Sequence, residues 1–283
     1  MRALGEVAGA VTAVTGFEKG SGKTTFLNFA LPYARARGPV ALFSIGVDGA
    51  LKAGEAGASG EIQVQPGDVV MTTEAFARAS TARFEVLEAL PGRTGLGPLL
   101  LGRAQRAGSV TLVGSEHFST LAQMIERVRA EGWAASVLVD GAVNRITQVS
   151  ALGAVKFVFC VRVDPVNLAR VAARIRALAA LAALPTVAEP AAGTLRLEGP
   201  ISAETLKSLA PGSPLSAEDF SKFFLEPQDL LRTLERQAWS LRRPLDLLCF
   251  AVALRGLEPA QLLAAVGPAA AADVLLNPFL AAV

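Results

Sequence analysis

The residues with the clearest chemistry form one segment, residues 16–25, which read GFEKGSGKTT. Gly20 and Gly22 allow the backbone to curl close to a polyphosphate, and the N–H groups of such a turn and of a following helix face its negative oxygens. Lys23 can reach the β and γ phosphates, and the hydroxyl of Thr24 can ligate Mg²⁺. The segment therefore predicts a nucleoside triphosphate site whose binding residues are Gly20, Ser21, Gly22, Lys23, Thr24 and Thr25.

The first half of this segment departs from the usual spacing of a phosphate-binding loop, G-x-x-x-x-G-K-[ST]. That spacing requires a glycine where the chain has Phe17, and Gly16 stands one residue too early. A β-branched run at 11–15 precedes the segment, and the apolar spacing of a helix follows it at 24–36. This context predicts a strand, a loop and a helix, with a first turn that is longer or differently curled. The alternative is a chance glycine-rich turn before a helix.

A carboxylate at the end of a second strand is expected, because waters held by a carboxylate complete the octahedral shell of Mg²⁺. Asp140 ends the apolar run 136–139, and Gly141 leaves room for phosphates beside it. We therefore predict Thr24 and Asp140 as the residues that hold the metal. The alternative for Asp140 is a cap or turn aspartate without a catalytic role.

Two further acidic residues follow predicted strands, at the edge where open α/β sheets bind ligands. Asp48 follows the second strand and could position the attacking water or a water on Mg²⁺, although Asp-Gly is also a favoured turn pair. Glu116 follows the run 110–115 and could be the catalytic base or a substrate contact; it could equally be a helix-start carboxylate. The predicted catalytic residues are therefore Lys23, Asp48 and Glu116.

The composition limits the class of protein. Of the 283 residues, 52% are hydrophobic and 18% are charged, which predicts a globular chain with a sizeable core. The net charge of +2 and the lack of a dense Lys/Arg block disfavour a nucleic-acid partner. Cys160 and Cys249 lie in apolar runs, which favours buried thiols in a reducing compartment, and the single histidine disfavours a zinc site. The uncharged stretch 259–272 is too short and too broken to span a bilayer. A cleaved signal peptide would include the first predicted strand, so none is expected. We therefore expect a cytoplasmic protein.

Apolar runs of strand length alternate with helical patterns, which predicts an α/β fold with a mainly parallel sheet flanked by helices. A Pro- and Gly-containing stretch at 184–193 predicts a boundary. It separates a nucleotide-binding domain at 1–190 from a smaller C-terminal α/β module at 191–283 packed on it, whose strand 245–254 is too apolar to stand alone. The predicted strands of the first domain are 10–15, 40–45, 69–72, 84–90, 110–114, 136–140 and 156–161, and its predicted helices are 24–36, 73–79, 96–107, 119–130 and 165–184.

Two segments predict surface features. Residues 49–67 are rich in Gly and Ala and lack helical or strand periodicity, which predicts a flexible, ligand-sensing loop or a disordered surface insertion. The helix predicted at 165–184 is Arg-rich on one side, which favours a solvated face over a recognition surface.

The loop and the order of the predicted strands, over residues 10–165, resemble P-loop NTPases of the class that includes signal-recognition GTPases, partition ATPases and dethiobiotin synthetases. The guanine-specific motif [NT]-K-x-D is not found, which favours ATP over GTP. Residues 16–25, the sequence VDGAVNR at 139–145 and the sequence SKFFL at 221–225 together are similar to the small reactivase subunit of the B12-dependent lysine 5,6-aminomutase. This closer resemblance implies an ATP-driven accessory protein that works with a larger ATPase subunit to exchange damaged cobalamin in the mutase; a homodimer stays open.

Three functions remain open from the sequence. The first is a Mg²⁺-dependent, ATP-hydrolysing switch or accessory factor that acts on a protein partner, as the reactivase resemblance implies. The second is a small-molecule kinase or ATP-dependent ligase that resembles dethiobiotin synthetase. The third is a non-catalytic nucleotide-binding scaffold, against which the intact Gly22-Lys23-Thr24 argues. All three place the nucleotide on the same loop.

Overall fold

The computed structural model of the chain describes residues 2–45, 60–115, 117–141, 154–209 and 212–278. Its strands are β1 (Val11–Gly16), β2 (Val40–Ser44), β3 (Glu61–Val64), β4 (Val69–Thr73), β5 (Arg83–Thr94), β6 (Gly97–Arg106), β7 (Gly108–Thr111), β8 (Ser136–Asp140), β9 (Val155–Val163), β10 (Leu195–Leu197), β11 (Leu215–Ala217), β12 (Trp239–Leu241), β13 (Asp246–Leu254) and β14 (Val274–Leu276). Its helices are α1 (Arg2–Gly5), α2 (Lys23–Ala34), α3 (Glu74–Ala79), α4 (Phe118–Ala130), α5 (Leu168–Ala182), α6 (Ala203–Lys207), α7 (Pro227–Arg236) and α8 (Pro259–Ala271). Within these residues, no helix combines the length and the apolar character needed to cross a bilayer.

Nine of the strands form one sheet in the order β14-β13-β9-β1-β8-β2-β4-β6-β5. The neighbours from β14 to β4 are parallel, and β6 and β5 add an antiparallel hairpin at one side. The prediction of an α/β fold with a mainly parallel sheet flanked by helices is therefore confirmed. Because β1 lies between β8 and β9, the residues that follow it leave from the centre of the sheet's carboxyl edge.

The central strands are buried on both faces of the sheet. Leu42 and Phe43, neighbours in β2, have no exposed surface, yet they belong to separate cores. Phe26 and Leu27 of α2 pack in the core of Leu42, whereas Val171 of α5 packs in that of Phe43. A sheet covered by helices on both faces requires strands that are apolar at nearly every position, as these are. The same burial holds β1 in place beneath the loop that follows it.

The prediction of a helix at residues 96–107 is wrong, because most of them form the strand β6. This strand pairs antiparallel with both β4 and β5. Leu99 and Leu101 pack in one core and Ala104 packs in the other, as the alternating side chains of a strand do. A short leucine run fits a helix and a strand equally well, and Gly97 weakens the helix. Pairing with two neighbouring strands then decides the structure.

Residues 61–64 form β3, which contradicts the prediction that 49–67 have no regular structure. β3 pairs antiparallel with β7. Ile62 and Val64 are buried and Gln63 between them is exposed, so the strand has the expected alternation, but over too few residues to be recognised in the sequence. Residues 49–59 of the predicted loop lie outside the described residues.

The C-terminal part of the chain contributes to two sheets. β10, β11 and β12 form a parallel sheet of their own. β13, which corresponds to the strand predicted at 245–254, instead pairs in parallel with β9 of the main sheet. Phe159 of β9 and Phe250 of β13 stack with their ring centroids 5.8 Å apart. This apolar strand therefore packs within the main sheet. That sheet contains strands from before and after residue 190.

Candidate functional site

The loop of residues 17–22 joins the centre of the sheet to a helix. β1 ends at Gly16, and α2 begins at Lys23. Gly20 and Gly22 have φ angles of 76° and 90°, which residues with a side chain rarely adopt. Gly22 provides no side-chain cap to α2, and the first turn of the helix contains no acidic residue. The N-terminus of α2 therefore keeps the positive potential that attracts an anion.

Gly16 is required by the way the loop folds back over β1. A Cβ atom at this position would lie 1.9 Å from the Oγ atom of Ser21 and 3.2 Å from the carbonyl oxygen of Cys160. Every side chain larger than hydrogen would therefore displace Ser21 or the backbone of β9. This contact gives a physical reason for the glycine at position 16, which is one residue before the position that the usual spacing assigns to a glycine.

Two hydroxyl groups beside the loop have no hydrogen-bond partner among the described residues. Ser21 is 4% exposed and Thr15 is 2% exposed, and the side-chain oxygen of each is buried and unpartnered. Leaving a buried polar group unsatisfied costs about 1–3 kcal/mol, so few proteins tolerate many such groups. A bound anion beside the loop would accept hydrogen bonds from hydroxyls of this kind.

Phe17 occupies the position of the usual glycine because its side chain points into the core. Its ring lies 6.1 Å from that of Phe159 and 6.5 Å from that of Phe250, between centroids. The guanidinium carbon of Arg174 lies 4.3 Å from the ring centroid of Phe17, and its Nη1 atom donates to the Phe17 carbonyl over 3.4 Å. The neighbouring Glu18 pairs with Arg170 at 2.5 Å. The first half of the loop is thus fastened to the sheet and to α5.

Arg174→Ala is expected to lower the free energy of unfolding by about 1–2 kcal/mol, because a partly desolvated cation–π contact is lost. Arg174 is half-buried, and burial is the first cause of its lowered pKa, followed by the neighbouring charge of Arg170. Arg176→Ala, an exposed arginine on the same helix, is the control and should change stability by less than about 0.5 kcal/mol. Urea unfolding measures both. Equal effects would show that Arg174 does not hold Phe17.

Lys23 and Asp140 both lie close to the end of β1. Asp140 closes β8, and the register of the sheet sets it beside Val14. Both charges act on the buried thiol of Cys160 in β9: burial and Cys249 raise its pKa, Lys23 lowers the pKa and Asp140 raises it. The strand order therefore brings a lysine and a carboxylate from distant parts of the sequence to the same end of the sheet as the loop.

The described residues offer few ligands for Mg²⁺. They contain no group of three or more His, Cys, Asp or Glu side chains that could hold a metal ion. Of the two predicted metal ligands, Thr24 is half-buried in the first turn of α2, and Asp140 is half-buried at the end of β8; Thr25, predicted to contact the nucleotide, is exposed. Such a sparse set suits Mg²⁺ when substrate phosphates and waters complete its coordination, because this ion usually binds through one or two carboxylates.

The predicted catalytic residues Asp48 and Glu116 lie outside the described residues, so their roles stay predictions. The segments that lead to them do meet: Ile45 and Ser115 form a parallel bridge, and the Ile45 N–H donates to the Asp140 carbonyl over 2.9 Å. Both segments therefore reach the carboxyl edge of the sheet on the β8 side of the loop.

Sequence reasoning missed the residues that surround the first half of the loop. The solvated face predicted for α5 agrees with the exposed Arg170 and Arg176, but Arg174 is half-buried on Phe17, and Arg170 also pairs with Glu18. The residues in these contacts are more than a hundred positions apart in the sequence, and no local pattern predicts that they meet. On the same side of the loop lies a cavity of about 250 Å³, lined by Phe17, Glu18, Lys19, Gly20, Ser21, Arg162, Asp164, Asn167 and Val171.

Comparisons with protein-family models, with curated proteins and with solved structures find no match to this chain. What the chain binds is therefore inferred from its own residues.

Proposed function

We propose that the chain binds ATP with Mg²⁺ on residues 16–25 and hydrolyses it as a nucleotide-dependent switch. The observation that carries this proposal is the shape of the loop. Gly16 lets it fold over the end of β1, two glycines with positive φ continue it, and it leads to a helix N-terminus without a side-chain cap. Ser21, with its buried and unpartnered hydroxyl, lies within this turn. The glycine turn and the uncapped helix N-terminus favour a bound polyphosphate.

The residues of the site fit the proposed ligands. Backbone N–H groups of residues 20–25 and the ammonium of Lys23 would hold the phosphates. Thr24 and Asp140 would hold Mg²⁺, which when bound neutralises charge on the phosphate oxygens and so favours attack at phosphorus. Asp48 and Glu116 are the groups proposed to position the attacking water.

A nucleotide-dependent switch requires an element that contacts both the nucleotide-binding loop and a surface where a partner can bind. Helix α5 contacts the loop and also lines a groove at the surface. At the loop, Arg170 and Arg174 hold Glu18 and Phe17. Both arginines also line a groove of about 510 Å³ between α5 and residues 220–230. At this groove Phe224 is 63% exposed, and it belongs to the segment that carries the reactivase resemblance. We therefore place the proposed partners, a B12-dependent aminomutase and a larger ATPase subunit, at this surface.

The proposed function is tested by measuring ATP hydrolysis with and without partners. The chain alone should hydrolyse ATP slowly, because the groups that complete a switch often come from its partner. Addition of lysine 5,6-aminomutase together with its larger ATPase subunit should raise the rate on the order of tenfold or more. Rapid turnover with a small-molecule acceptor and no protein partner would contradict the switch and favour a kinase or ligase.

A further inference from the structure

A further cavity, separate from the one beside the loop and from the groove at α5, lies at the edge of the main sheet opposite the loop. Its volume is about 680 Å³, within the range of small-molecule sites. It is bordered by Leu245 and Leu247 at the start of β13 and by Asp273 just before β14, both at the amino ends of parallel strands. The phosphate-binding loop follows the carboxyl end of β1, so this cavity cannot form part of the nucleotide site. Its walls are mainly small apolar side chains at two helices: Ala179, Ala180 and Ala182 of α5 with Ala183 directly after it, and Val266, Ala269 and Ala270 of α8.

The wall formed by α8 is interrupted where it meets the cavity. Gly267 has φ 76° and ψ 166°, which is not helical, and a Cβ atom on it would meet no atom within 4 Å. Pro268 follows and has no N–H group to donate to the preceding turn. The helix therefore lacks one backbone hydrogen-bond donor at this break.

The charged groups around the cavity are mostly carboxylates. Glu235, Asp246 and Asp273 line it, together with Arg176, which is exposed. Asp246 has a partner in Lys156 at 3.3 Å. Asp273 is half-buried, and its carboxylate makes no hydrogen bond or ion pair with the described residues. Burial raises the pKa of Asp273, so the ionised carboxylate lowers the stability of the folded chain. No contact among the described residues compensates for this loss.

We infer that this cavity binds an organic ammonium ion, with the ammonium group paired to Asp273 and the alkyl chain against the alanines of α5 and α8. A neutral apolar molecule would fill the same space but would add no partner for the Asp273 carboxylate, which has none among the described residues. A carboxylate ligand would meet like charge from Glu235 and Asp273. Arg176 is the one cation among the described residues of the lining, and Asp246 is paired with Lys156. The inference is independent of the nucleotide proposal.

The test compares n-hexylammonium, 1-hexanol and hexanoate by calorimetric titration at neutral pH. These probes share one alkyl chain and differ in the head group. We expect n-hexylammonium to bind roughly tenfold more tightly than 1-hexanol, as a charge-assisted hydrogen bond supplies, and hexanoate to bind least. Asp273→Asn should reduce n-hexylammonium to the affinity of 1-hexanol. Asp229→Asn, on α7 and outside this cavity, is the matched control and should leave the preference unchanged.

The ligand-free variant gives a second readout. Because burial raises the pKa of Asp273 in the folded chain, the stability linked to its protonation is present at low pH and is lost as the pH rises through the folded pKa. Asp273→Asn removes the ionised carboxylate, so at neutral pH it should raise the Tm of the ligand-free chain. Equal binding of n-hexylammonium and 1-hexanol, a preference that survives Asp273→Asn, or no binding of any probe would overturn the inference. Because ATP is absent throughout, these outcomes leave the nucleotide proposal untouched.

Discussion

Gly16→Ala is expected to weaken binding of ATP with Mg²⁺ by roughly tenfold or more and to lower the free energy of unfolding by about 1–3 kcal/mol. The reason is steric: the new methyl group would lie 1.9 Å from the Ser21 Oγ atom and 3.2 Å from the Cys160 carbonyl oxygen. Ser21 is buried, and its Cβ atom would still lie 3.1 Å from the new methyl group after the hydroxyl rotates, so we expect the loop to shift away from β1. Titration with ATP and urea unfolding measure the two effects.

Two further variants show whether the clash is the cause. Gly95→Ala is the control, since a Cβ atom there meets nothing within 4 Å and the residue has no positive φ angle. Combining Gly16→Ala with Ser21→Ala removes the closest atom, so the double variant should recover part of the lost stability. ATP affinity of Gly16→Ala equal to that of the unmodified chain would show that the folded-back loop is not the binding conformation.

Asp140→Asn is expected to remove most of the gain in ATP affinity that Mg²⁺ provides, roughly 10- to 100-fold, while ATP binding without metal stays the same or improves slightly. The carboxylate ends β8 beside the loop, where it can hold waters of the metal, and an amide holds them less well. Titrations of ATP with Mg²⁺ and with a chelator measure this difference.

Asp164→Asn is the matched control for charge at the same edge of the sheet. Asp164 follows β9 on the other side of β1, and its Oδ1 atom accepts bonds from the N–H groups of Val166 and Asn167 within its own turn. This substitution should leave the effect of Mg²⁺ unchanged. Equal losses in the two variants would mean that general charge near the loop matters, and that Asp140 does not hold the metal.

The predictable parts of the fold are those in which local pattern and tertiary packing agree. The strand ending at Asp140 has the predicted bounds, and α2 begins within one residue of its predicted start, because apolar runs and helical spacing there match burial on both faces. β6 differs because its leucine run is ambiguous and distant strands decide its conformation. β3 differs because four residues are too few to display a period.

The same distinction applies to the site. The glycines, Lys23 and Asp140 could be placed from the sequence, because the glycine-rich loop and the strand-then-aspartate pattern are local. The role of Phe17 could not, because it depends on Phe159, Phe250 and Arg174, all far away along the chain. Substitution of a consensus glycine by a buried aromatic residue becomes intelligible only when the ring's neighbours are known.

The central claim, that residues 16–25 bind ATP, is tested most directly by equilibrium dialysis of ATP and Mg²⁺ against the unmodified chain and Lys23→Ala. The unmodified chain should bind a single ATP, and Lys23→Ala should bind it roughly 10- to 100-fold more weakly, as loss of a charged hydrogen-bond donor implies. Lys207→Ala, an exposed lysine on α6, should bind like the unmodified chain. The claim is contradicted if the unmodified chain retains no ATP, or if Lys23→Ala retains as much as the unmodified chain does.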